Sequence, residues 1–563
     1  MLILGIHCGH DSAACLLDDG IIIADAAEER FTRIKHDSSF PYQSISYCLE
    51  QARIRNQEVA ILAISGQNIP KEVERFFVNS EGESFEDELT SKTQKKAEQL
   101  LAGRIAKDLP VYFARLVLPK DCRIVHFEHH LCHAAAAYFT SGFKGDTLIL
   151  TMDGVGDGVS TAFWKGLGQA ITPLKKWGTT ASLGWFYSNV TEALGWRHGD
   201  GEGSTMGLAP YGKAELLGEA LNSYHPTFNN GDVVKTHDFG AVSVFNDHGF
   251  LHWHLSESKA IQDLAKDFGA ANVAASAQAI LEQEVINLLL YWIRKTSCKQ
   301  ICFGGGVFLN VKLNQKIYEQ LNSQQIWICP NPADSGLAMG AALYAWHQFG
   351  SNQVNLKLPH LYFGPASTDQ KIEEILKERN LSYVKLENPA KTAAQLLASN
   401  QIVGWFQGAM ESGPRALGNR SILMSAGLAN NKETLNSKVK FREGFRPFCP
   451  VVLFEKKDQY LLNCDEAAFM IISFDAVKEK QESIPAAIHI DGTVRPQVLK
   501  QEINPLFYEL VYEYGRLTGE FALLNTSFNL KNEPIVCSPR EAIKCFYDSG
   551  LDALIMGCFL LKK

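Results

Sequence analysis

Residues 2–17 read LILGIHCGHDSAACLL, and residues 148–164 read LILTMDGVGDGVSTAFW. Each stretch is an apolar run, a turn rich in Gly or Asp, and a second apolar run, a pattern typical of two antiparallel strands joined by a hairpin. The two Leu-Ile-Leu starts, at Leu2 and Leu148, lie 146 residues apart. The sequence therefore suggests a duplicated strand–turn–strand unit, although two unrelated hairpins would give the same pattern.

Two such units facing one cleft predict an α/β chain with the architecture of actin-like and sugar-kinase-like ATP-binding proteins. An amphipathic stretch over 270–295 predicts a helix packed on a sheet, and it leads into a strand at 300–303. Gly, Pro, Asn and Ser become frequent over 349–369, which places a domain junction there. The remainder, 370–563, is expected to be a separate α/β or α+β unit. The charged stretch 71–107 predicts surface helices.

The composition narrows the class of protein. A chain of 563 residues exceeds what one hydrophobic core usually organises, so at least two domains are expected. The formal charge of −8 argues against nucleic acid or an anionic membrane as a partner, but it leaves room for a local basic pocket. No apolar run approaches the roughly 18 residues of a membrane span, and no secretory signal is expected. The 13 cysteines include no CxxC pair, which predicts reduced, mostly buried thiols in a cytoplasmic protein.

A histidine pair opens an alanine-rich helical run that reads HHLCHAAAA from His129. His129 and His133 share one helix face, so both imidazoles can reach one cation. The Glu that follows the first His in zinc proteases is absent, since His130 stands there, which argues against a protease. Asp153, in the second hairpin turn, and Asp334, at a predicted strand-to-helix turn, add carboxylates. This set would suit Fe(II), Mn(II) or Zn(II), while a structural role for the histidines stays open.

Glycine-rich segments are candidates for binding phosphate. Gly304-Gly305-Gly306 follows a predicted strand, where a backbone without side chains can approach an anion closely. Neither a Walker A motif nor a GxGxxG fingerprint is present, which disfavours P-loop and dinucleotide-binding folds. A second segment with repeated glycines, 201–212, is predicted to be a loop lining the same cleft.

The C-terminal unit gathers Arg, Lys, Ser and Asn among Pro, Gly and aromatic residues, rather than in Lys/Glu helical runs. These residues lie in the segments 411–421, 438–448, 489–495 and 525–529. Arginine forks bind phosphate or carboxylate through two parallel hydrogen bonds. In a net-acidic chain, such clustering predicts a focused anion pocket, with a solvated basic face as the alternative.

Nine ordered motifs make the chain resemble the NodU/CmcH family of O-carbamoyltransferases over essentially its whole length. The motifs are HDSAA (10–14), EERFTRIKH (28–36), HHLCHAAAA (129–137), MGLAPYG (206–212), GGGVFLN (304–310), ESGPRALGNRSI (411–422), VKFREGFRPF (439–448), HIDGTVR (489–495) and NTSFN (525–529). The resemblance implies a Kae1-like domain of the actin-like ATPase (ASKHA) fold over 1–355. It implies a YrdC-like α/β domain over 356–563.

The resemblance also implies two half-reactions. Carbamoyl phosphate and ATP, with Mg(II), give carbamoyl-adenylate and pyrophosphate in the YrdC-like domain. The carbamoyl group then passes to a hydroxyl of a small-molecule acceptor, a natural product or a sugar, in the Kae1-like domain, and AMP leaves. Many relatives have a Lys or Tyr-Lys just before MGLAPYG, whereas this chain has Gly201–Thr205, so no acceptor can be carried over. His198, Asp200 and Glu202 either bind the acceptor or form an exposed polar loop.

Specific residues take roles by the same resemblance. His10 is the expected base for the acceptor hydroxyl, and a divalent metal, Fe(II), is expected in the Kae1-like domain. The remaining assignments are Arg415, Lys440, Arg446 and Arg495 as catalytic cations; Asp11, His489, Asn525, Ser527 and Asn529 as substrate contacts; Gly154, Gly304, Gly305, Gly306 and Asn310 as adenylate contacts; and His129, His133, Asp153 and Asp334 as metal ligands.

Other functions and partners stay open at this point. A threonylcarbamoyl-type tRNA modification enzyme has two similar domains, but the acidic net charge gives no support for a tRNA-binding surface. A non-catalytic ATP-dependent switch of the actin type gives no reason for the C-terminal arginines. Hydrogenase-maturation carbamoyltransferases carry zinc-finger cysteine pairs that this chain lacks. The expected partners are carbamoyl phosphate, ATP and the acceptor, without nucleic acid or membrane, and a homodimer stays open.

Overall fold

The structure is a computed structural model. It describes residues 1–55, 57–66, 77–78, 116–239, 242–245, 251–254, 257–321, 323–351 and 355–563. The stretch 71–107, for which surface helices are predicted, therefore lies outside the described residues except for 77–78. Those two residues form a short strand.

The described residues form strands and helices throughout. The strands are β1 Leu2–His7, β2 Ala13–Asp18, β3 Ile21–Ala27, β4 Val59–Ser65, β5 Phe77–Val78, β6 Leu116–Val117, β7 Arg123–Phe127, β8 Thr147–Gly156, β9 Val159–Leu167, β10 Ala170–Gly178, β11 Thr227–Asn229, β12 Asp232–Lys235, β13 Val242–Phe245, β14 Leu251–His254, β15 Gln300–Gly304, β16 Gln325–Ile328, β17 Val384–Lys385, β18 Val403–Phe406, β19 Arg420–Ser425, β20 Cys449–Leu453, β21 Phe474–Asp475, β22 Thr493–Val494, β23 Gln497–Leu499, β24 Ala522–Ser527, β25 Ala553–Met556 and β26 Phe559–Lys562. The α-helices are α1 Glu29–Thr32, α2 Tyr42–Ile54, α3 His129–Phe139, α4 Leu183–Ala193, α5 Glu202–Leu208, α6 Gly218–Leu221, α7 Ser258–Phe268, α8 Ala270–Thr296, α9 Val311–Gln320, α10 Leu337–Phe349, α11 Asp369–Glu378, α12 Pro389–Ala398, α13 Asn431–Leu435, α14 Lys457–Tyr460, α15 Lys478–Gln481, α16 Pro505–Thr518 and α17 Pro539–Tyr547.

The first sheet grows outward from the opening hairpin. β1 and β2 pair antiparallel, as do β2 and β3, while β4 and β7 follow in parallel on the other side of β1, so that the order is β3-β2-β1-β4-β7. Every residue of β1 is buried, as expected for a central strand covered on both faces. A Cβ on Gly5 would lie 2.0 Å from the carbonyl oxygen of Ala338, so this glycine lets α10 pack directly on β1.

The second sheet repeats the first. Its order is β10-β9-β8-β15-β16, with β8, β9 and β10 antiparallel and with β15 and β16 parallel to β8. The duplicated unit is therefore confirmed, and the alternative of two unrelated hairpins is wrong. The two halves meet where α3 packs on α10, because Gly340 of α10 lies where a Cβ would be 2.0 Å from the carbonyl oxygen of Cys132 in α3.

Local predictions in this half are confirmed in part. The helix predicted over 270–295 is α8, Ala270–Thr296. The segment 201–212 is not a loop, because α5 and a 3₁₀ turn at Ala209–Tyr211 occupy most of it. Tertiary packing overrides the glycines there, since Thr205 is fully buried and its Oγ1 lies 2.8 Å from Oγ1 of Thr191.

The C-terminal residues form one mixed eight-stranded sheet of order β17-β26-β25-β18-β19-β24-β20-β23. Helices cover both faces: α12 and α16 pack on the face that holds Trp405 and Leu423, while α11 and α17 pack on the face that holds Phe406 and Ile422. The prediction of an α/β chain with a duplicated N-terminal part is confirmed, while its division into two domains stays a prediction. The exact boundary near residue 355 stays a prediction.

Two further observations concern membrane-spanning helices and the cysteine thiols. In the part of the chain that the structure describes, no helix is both long and apolar enough to cross a membrane. All 13 cysteines lie in the described residues and are free thiols, and all except Cys8 and Cys558 are buried, as the sequence predicts.

Candidate metal centre and anion pocket

The four predicted metal ligands meet where α3, β8 and the turn before α10 come together. Nε2 of His133 lies 3.1 Å from Oδ2 of Asp153 and 3.4 Å from Oδ1 of Asp334. Nε2 of His129 lies 3.1 Å from Nε2 of His133 and 3.5 Å from Oδ1 of Asp334. One ligand atom from each residue falls within 4.8 Å of all the others. These four side chains therefore converge on a single point.

The donor set fits a divalent transition metal. Two imidazole nitrogens 3.1 Å apart repel through their lone pairs unless a proton or a cation lies between them. Burial lowers the pKa of His133, but hydrogen bonds to Asp153 and Asp334 outweigh this effect and raise the pKa to about 9, so the site favours positive charge. Two nitrogens and two carboxylate oxygens suit Fe(II), Mn(II) and Zn(II). The structure therefore supports a metal centre, and the choice among these ions stays open.

The structure corrects the position of Asp153. This residue lies inside β8 and not in the hairpin turn, which is formed by Asp157 and Gly158. The pairing of β8 with β9 shifts register between Met152 and Gly156, and this bulge points the carboxylate toward α3. The apolar run at 148–150 does not show where β8 ends, because the bulge lets the strand continue through polar residues to Gly156.

The Gly304–Gly306 motif packs directly against these ligands. A Cβ on Gly304 would lie 2.8 Å from the carbonyl oxygen of His133, and Gly305 has a φ of +97°. The N–H of Gly306 donates to Oδ2 of Asp153 at 3.2 Å. The three glycines therefore bring the backbone next to the metal centre, where their N–H groups could also meet a phosphate.

The other two predicted adenylate contacts have local structural roles. The N–H of Gly154 donates to Oδ1 of Asp153 at 2.6 Å. The side chain of Asn310 caps α9 by accepting from the N–H of Leu313 at 3.0 Å, and it exchanges hydrogen bonds with Gln278. A contact between Asn310 and a nucleotide therefore stays a prediction.

His10 is joined to a second imidazole through Asp11. Oδ2 of Asp11 lies 3.2 Å from Nδ1 of His10, and its Oδ1 lies 2.8 Å from Nδ1 of His36. Asp11 adopts a φ of +60°, a strained conformation that these contacts maintain. Burial lowers the pKa of His36, but Asp11 and Asp200 outweigh it and raise the pKa to about 10, so His36 is a cation at neutral pH. Sequence reasoning assigned no role to His36, although the EERFTRIKH motif contains it, and it named Asp200 only as a candidate acceptor contact.

The polar residues before α5 are mostly engaged with protein partners. Nδ1 of His198 lies 3.0 Å from Oε2 of Glu192, and Asp200 is paired with Lys35. Oε1 of Glu202 accepts from the N–H of residue 199 at 2.7 Å. These contacts favour the interpretation of a structured polar loop over that of a bare acceptor-binding surface.

Cationic side chains of the C-terminal unit converge near β20 and β24. Nζ of Lys440 donates to Oδ1 of Asn529 at 2.7 Å and to Oγ of Ser527 at 3.2 Å. Nε of Arg495 donates to Sγ of Cys449 at 2.9 Å. The predicted residues Arg415 and Arg446 join this group, as does Arg442, to which sequence reasoning assigned no role. We call Arg415, Lys440, Arg442, Arg446 and Arg495 the anion pocket.

The anion pocket holds more cations than acids, although Glu443 and Asp200 lie near Arg446. Burial and the cations of Arg495 and Arg446 lower the pKa of Arg415 to about 9. Burial and neighbouring cations also hold the pKa values of Lys440 and Arg442 well below their ordinary values. Such shifts arise where desolvated cations repel one another, and a bound anion reverses them. The pocket is therefore electrostatically suited to phosphate groups.

Polar atoms without partners are also buried on residues predicted to bind substrate, although the amide oxygen of Asn525 is an acceptor and does not itself favour an anion. Among the described residues, Nε of Arg415, Oδ1 of Asn525 and Nε2 of His489 are buried without a hydrogen-bond partner. The amide nitrogen of Asn525 donates to Oε1 of Gln497 at 2.8 Å, which fixes the orientation of the side chain. His489 lies at the contact with the N-terminal half, where its ring meets that of Tyr211 edge-on with centroids 5.8 Å apart.

The group around His10 adjoins the anion pocket. Asp200, which binds His36, is close enough to Arg446 for its charge to raise the pKa of that guanidinium against the lowering effect of burial. Nε1 of Trp196 donates to Oε1 of Glu443 at 2.8 Å, which ties the loop near His10 to the segment that carries Arg446. The predicted base and the anion pocket therefore lie on neighbouring segments.

Two sequence models of one family match most of the chain. The model described as Carbamoyltransferase N-terminus matches residues 2–343, and the one described as Carbamoyltransferase C-terminus matches residues 394–563.

Similar proteins extend over nearly the whole chain. Uncharacterized protein sll1178 from Synechocystis is 34% identical, over 100% of this chain and 96% of that protein. Nodulation protein NolNO from Sinorhizobium fredii is 34% identical, over 98% of this chain and 79% of that protein. Nodulation protein U from Rhizobium tropici is 26% identical, over 94% of this chain and 91% of that protein.

Solved structures show more distant likenesses. Full-length HypF in its phosphate- and nucleotide-bound form has a TM-score of 0.33 at 13% identity, over 62% of this chain and 56% of that one. Component A of (R)-2-hydroxyglutaryl-CoA dehydratase from Acidaminococcus fermentans has a TM-score of 0.35 at 17% identity, over 62% of this chain and 99% of that one. Likenesses at this level do not bear on function.

Proposed function

The chain belongs to the carbamoyltransferase family, and we propose that it is an ATP-dependent O-carbamoyltransferase for a hydroxylated small molecule. Carbamoyl phosphate, ATP and water would first form carbamoyl-adenylate, pyrophosphate and inorganic phosphate. The carbamoyl group would then move to an acceptor hydroxyl, and AMP would leave. The observation that carries this proposal is the anion pocket, in which buried cations lie close enough to lower one another's pKa values.

The first half-reaction suits the anion pocket. Water first removes the phosphate of carbamoyl phosphate, and an oxygen of the resulting carbamate must then attack the α-phosphate of ATP and displace pyrophosphate, so two anions must approach each other. Arg415, Arg446 and Arg495 supply planar forks for phosphate oxygens, and Lys440 supplies a point charge that Asn529 and Ser527 hold in place. Cations positioned in advance stabilise the charge that develops at the α-phosphate, and Mg(II) would accompany ATP.

The second half-reaction suits His10 and its partners. The carboxylate of Asp11 binds Nδ1 of His10, which leaves Nε2 to accept the proton of the acceptor hydroxyl. The cation of His36 on the other side of Asp11 keeps that carboxylate ionised. His36 and Asp11 would therefore orient the base, in the manner in which an aspartate orients the histidine of a catalytic triad.

The metal centre lies beside this base. His129, His133, Asp153 and Asp334 would hold the divalent cation, and we propose Fe(II). When bound, it would supply Lewis-acid charge toward the adenylate phosphate and the reacting carbonyl. The N–H of Gly306 donates to Asp153 and would help to fix this ligand. Because Asp200 lies beside both His36 and Arg446, the adenylate would have a short path from the anion pocket to the base.

A single assay tests the proposal. The chain is incubated with ATP, Mg(II), carbamoyl phosphate and a panel of hydroxylated metabolites, and mass spectrometry detects acceptors that gain one carbamoyl group. Pyrophosphate is expected only when carbamoyl phosphate is present, and carbamoylated product only with a matching acceptor.

Other products would contradict it. Release of ADP and phosphate without carbamoyl phosphate would indicate an ATP-dependent switch. Tight tRNA binding at low salt in a filter assay, with modification of the tRNA, would indicate a tRNA-modifying enzyme.

A further inference from the structure

The loop that carries Arg415 is seated on the N-terminal half of the chain. Oγ of Ser412 donates to the backbone carbonyl of Asp25 in β3 at 2.8 Å. Gly413 has a φ of +83°, and a Cβ there would lie 3.1 Å from the side chain of Asn331, in the turn that leads to the metal centre. Ser412 and Asn331 are both buried. The loop is therefore wedged between an edge strand of the first sheet and the turn before α10.

Arg30 of α1 adds a charged contact to this loop. Its terminal NH2 nitrogen donates to the carbonyl oxygen of Gly413 at 2.7 Å, and the side chain is only 6% exposed. Its other terminal nitrogen lies 3.5 Å from Oε1 of Glu29. A buried guanidinium is retained only where polar partners compensate its desolvation, so the carbonyl of Gly413 is one of the groups that hold Arg30 in place.

The other side of the loop is held from within the C-terminal unit. Oε1 of Glu411 accepts from the N–H groups of Leu417 and Asn419, each at 2.7 Å. Arg415 lies between these anchors and the Arg30 contact, and its own Nε has no hydrogen-bond partner in the described part of the chain. Its guanidinium is therefore placed by the loop and not by contacts of its own.

We propose that Arg30 is a positioning residue for Arg415, so that formation of the adenylate in the C-terminal unit depends on a side chain of the N-terminal half. This inference rests on the proposed function, in which Arg415 binds a substrate phosphate. Catalytic geometry is sensitive to displacements of about 1 Å, so release of the loop is expected to weaken substrate binding strongly.

Steady-state kinetics of the full-length chain test the proposal, with pyrophosphate release that depends on carbamoyl phosphate as the readout. Arg30→Ala is expected to raise KM for carbamoyl phosphate about tenfold or more and to change kcat less than about threefold. Arg30→Lys, which can still donate to the carbonyl of Gly413, is expected to restore KM to within about threefold of wild type. Arg55→Ala is the matched control, because Arg55 forms an exposed ion pair with Asp18.

A double variant separates positioning from an independent contribution. If Arg30 acts through Arg415, the variant Arg30→Ala/Arg415→Ala is expected to be no worse than Arg415→Ala alone, within about twofold. Losses that simply multiply would overturn the proposal, as would a normal KM in Arg30→Ala.

Gly413→Ala provides a second route to the same result. It places a methyl group 3.1 Å from Asn331 at a positive φ, which displaces the loop without removing a charge. The variant is expected to reproduce the raised KM of Arg30→Ala, and an unchanged KM would contradict the proposed role of the loop.

Amide hydrogen exchange tests the contact between Arg30 and the loop without a measurement of enzyme activity. Arg30→Ala is expected to speed exchange over residues 411–419 relative to both wild type and Arg55→Ala. Unchanged exchange there would overturn the positioning role. A wild-type chain that released no pyrophosphate would instead overturn the proposed function, and hydrogen exchange would still decide whether Arg30 orders the loop.

Discussion

The metal centre and the anion pocket balance their charges in opposite ways. In the metal centre, two carboxylates lie against two imidazoles, so negative and positive groups satisfy one another within 4.8 Å. In the anion pocket, cations face other cations, and their pKa values fall because neither burial nor their neighbours favour the charge. The first site brings carboxylates and imidazoles together and so suits a cation, whereas the second holds more cations than acids and so suits an anion. The two half-reactions are therefore expected to respond separately to mutation.

The strongest test of this separation removes a metal ligand. His133→Ala is expected to lower acceptor carbamoylation by about 1000-fold, since Lewis-acid stabilisation contributes several kcal/mol. Pyrophosphate release should stay within about threefold of wild type, because it takes place in the anion pocket. Bound metal, measured by elemental analysis, should fall at the same time.

His126→Gln is the control, since His126 lies on the neighbouring strand β7 and outside the ligand set. Equal loss of both half-reactions in His133→Ala, with the control intact, would show that the two sites are not separable.

The converse change acts on the anion pocket. Arg495→Gln is expected to lower kcat/KM for pyrophosphate release by about 100-fold, because loss of one positioned donor to a developing charge has an effect of this size. Metal content should stay as in wild type. Arg516→Gln, at an exposed ion pair with Glu513, is the control and should leave the rate unchanged. Pyrophosphate release that survived Arg495→Gln would remove this arginine from the pocket.

Ligand-induced stabilisation should show the same contrast on a smaller scale. At a concentration about 100 times its Kd, a ligand that binds only the folded state stabilises it by about 2.7 kcal/mol. Pyrophosphate is expected to raise the melting temperature of wild type and of His133→Ala, but not that of Arg495→Gln. Mn(II) should raise it for wild type and Arg495→Gln, but not for His133→Ala. Differential scanning fluorimetry measures the melting temperature with each ligand. A shift with pyrophosphate in Arg495→Gln, or with Mn(II) in His133→Ala, would contradict the assignment of that residue to its site.

The final prediction concerns a buried acid outside both sites. Asp25 is 1% exposed, and burial raises its pKa to about 7. The folded chain therefore keeps a proton that the unfolded chain has released, so the free energy of unfolding falls as the pH rises from about 4 to 7. Asp25→Asn is expected to remove this slope, so that its stabilising effect is about 4 kcal/mol larger at pH 8 than at pH 4.

Denaturant unfolding at a series of pH values measures this difference. Wild type at pH 4 provides the reference, since Asp25 is then protonated and resembles Asn. A stabilisation that grew toward low pH would show instead that the carboxylate is ionised and paired.

Local patterns in the sequence predict most of the secondary structure at these sites. The repeated Leu-Ile-Leu hairpin predicts the central strands of both sheets, and the apolar periodicity over 270–295 predicts α8 within one residue at its C-terminus. The spacing of His129 and His133 places both imidazoles on one face of α3, as observed. These features depend on neighbours within about two helical turns or one hairpin, so the sequence displays them directly.

Predictions fail where distant packing controls the backbone. Asp153 lies in a bulged strand because β8 bends beside α3, where a Cβ on Gly156 would meet the ring of His129 at 2.1 Å. The segment 201–212 is helical because its buried face packs on other helices of the N-terminal half. Neither contact leaves a local pattern in the sequence.

The sequence by itself determined the α/β class and the residue types that the chemistry needs, while the sheet order decided that the repeated hairpin is a duplication. Tertiary structure alone decided which charged groups meet: His36 with Asp11, Asp200 with Arg446, and Arg30 with the loop of Arg415. The reason is physical. Secondary structure follows from side-chain periodicity over short distances, whereas a desolvated charge is stable only beside partners that the fold brings from far along the chain.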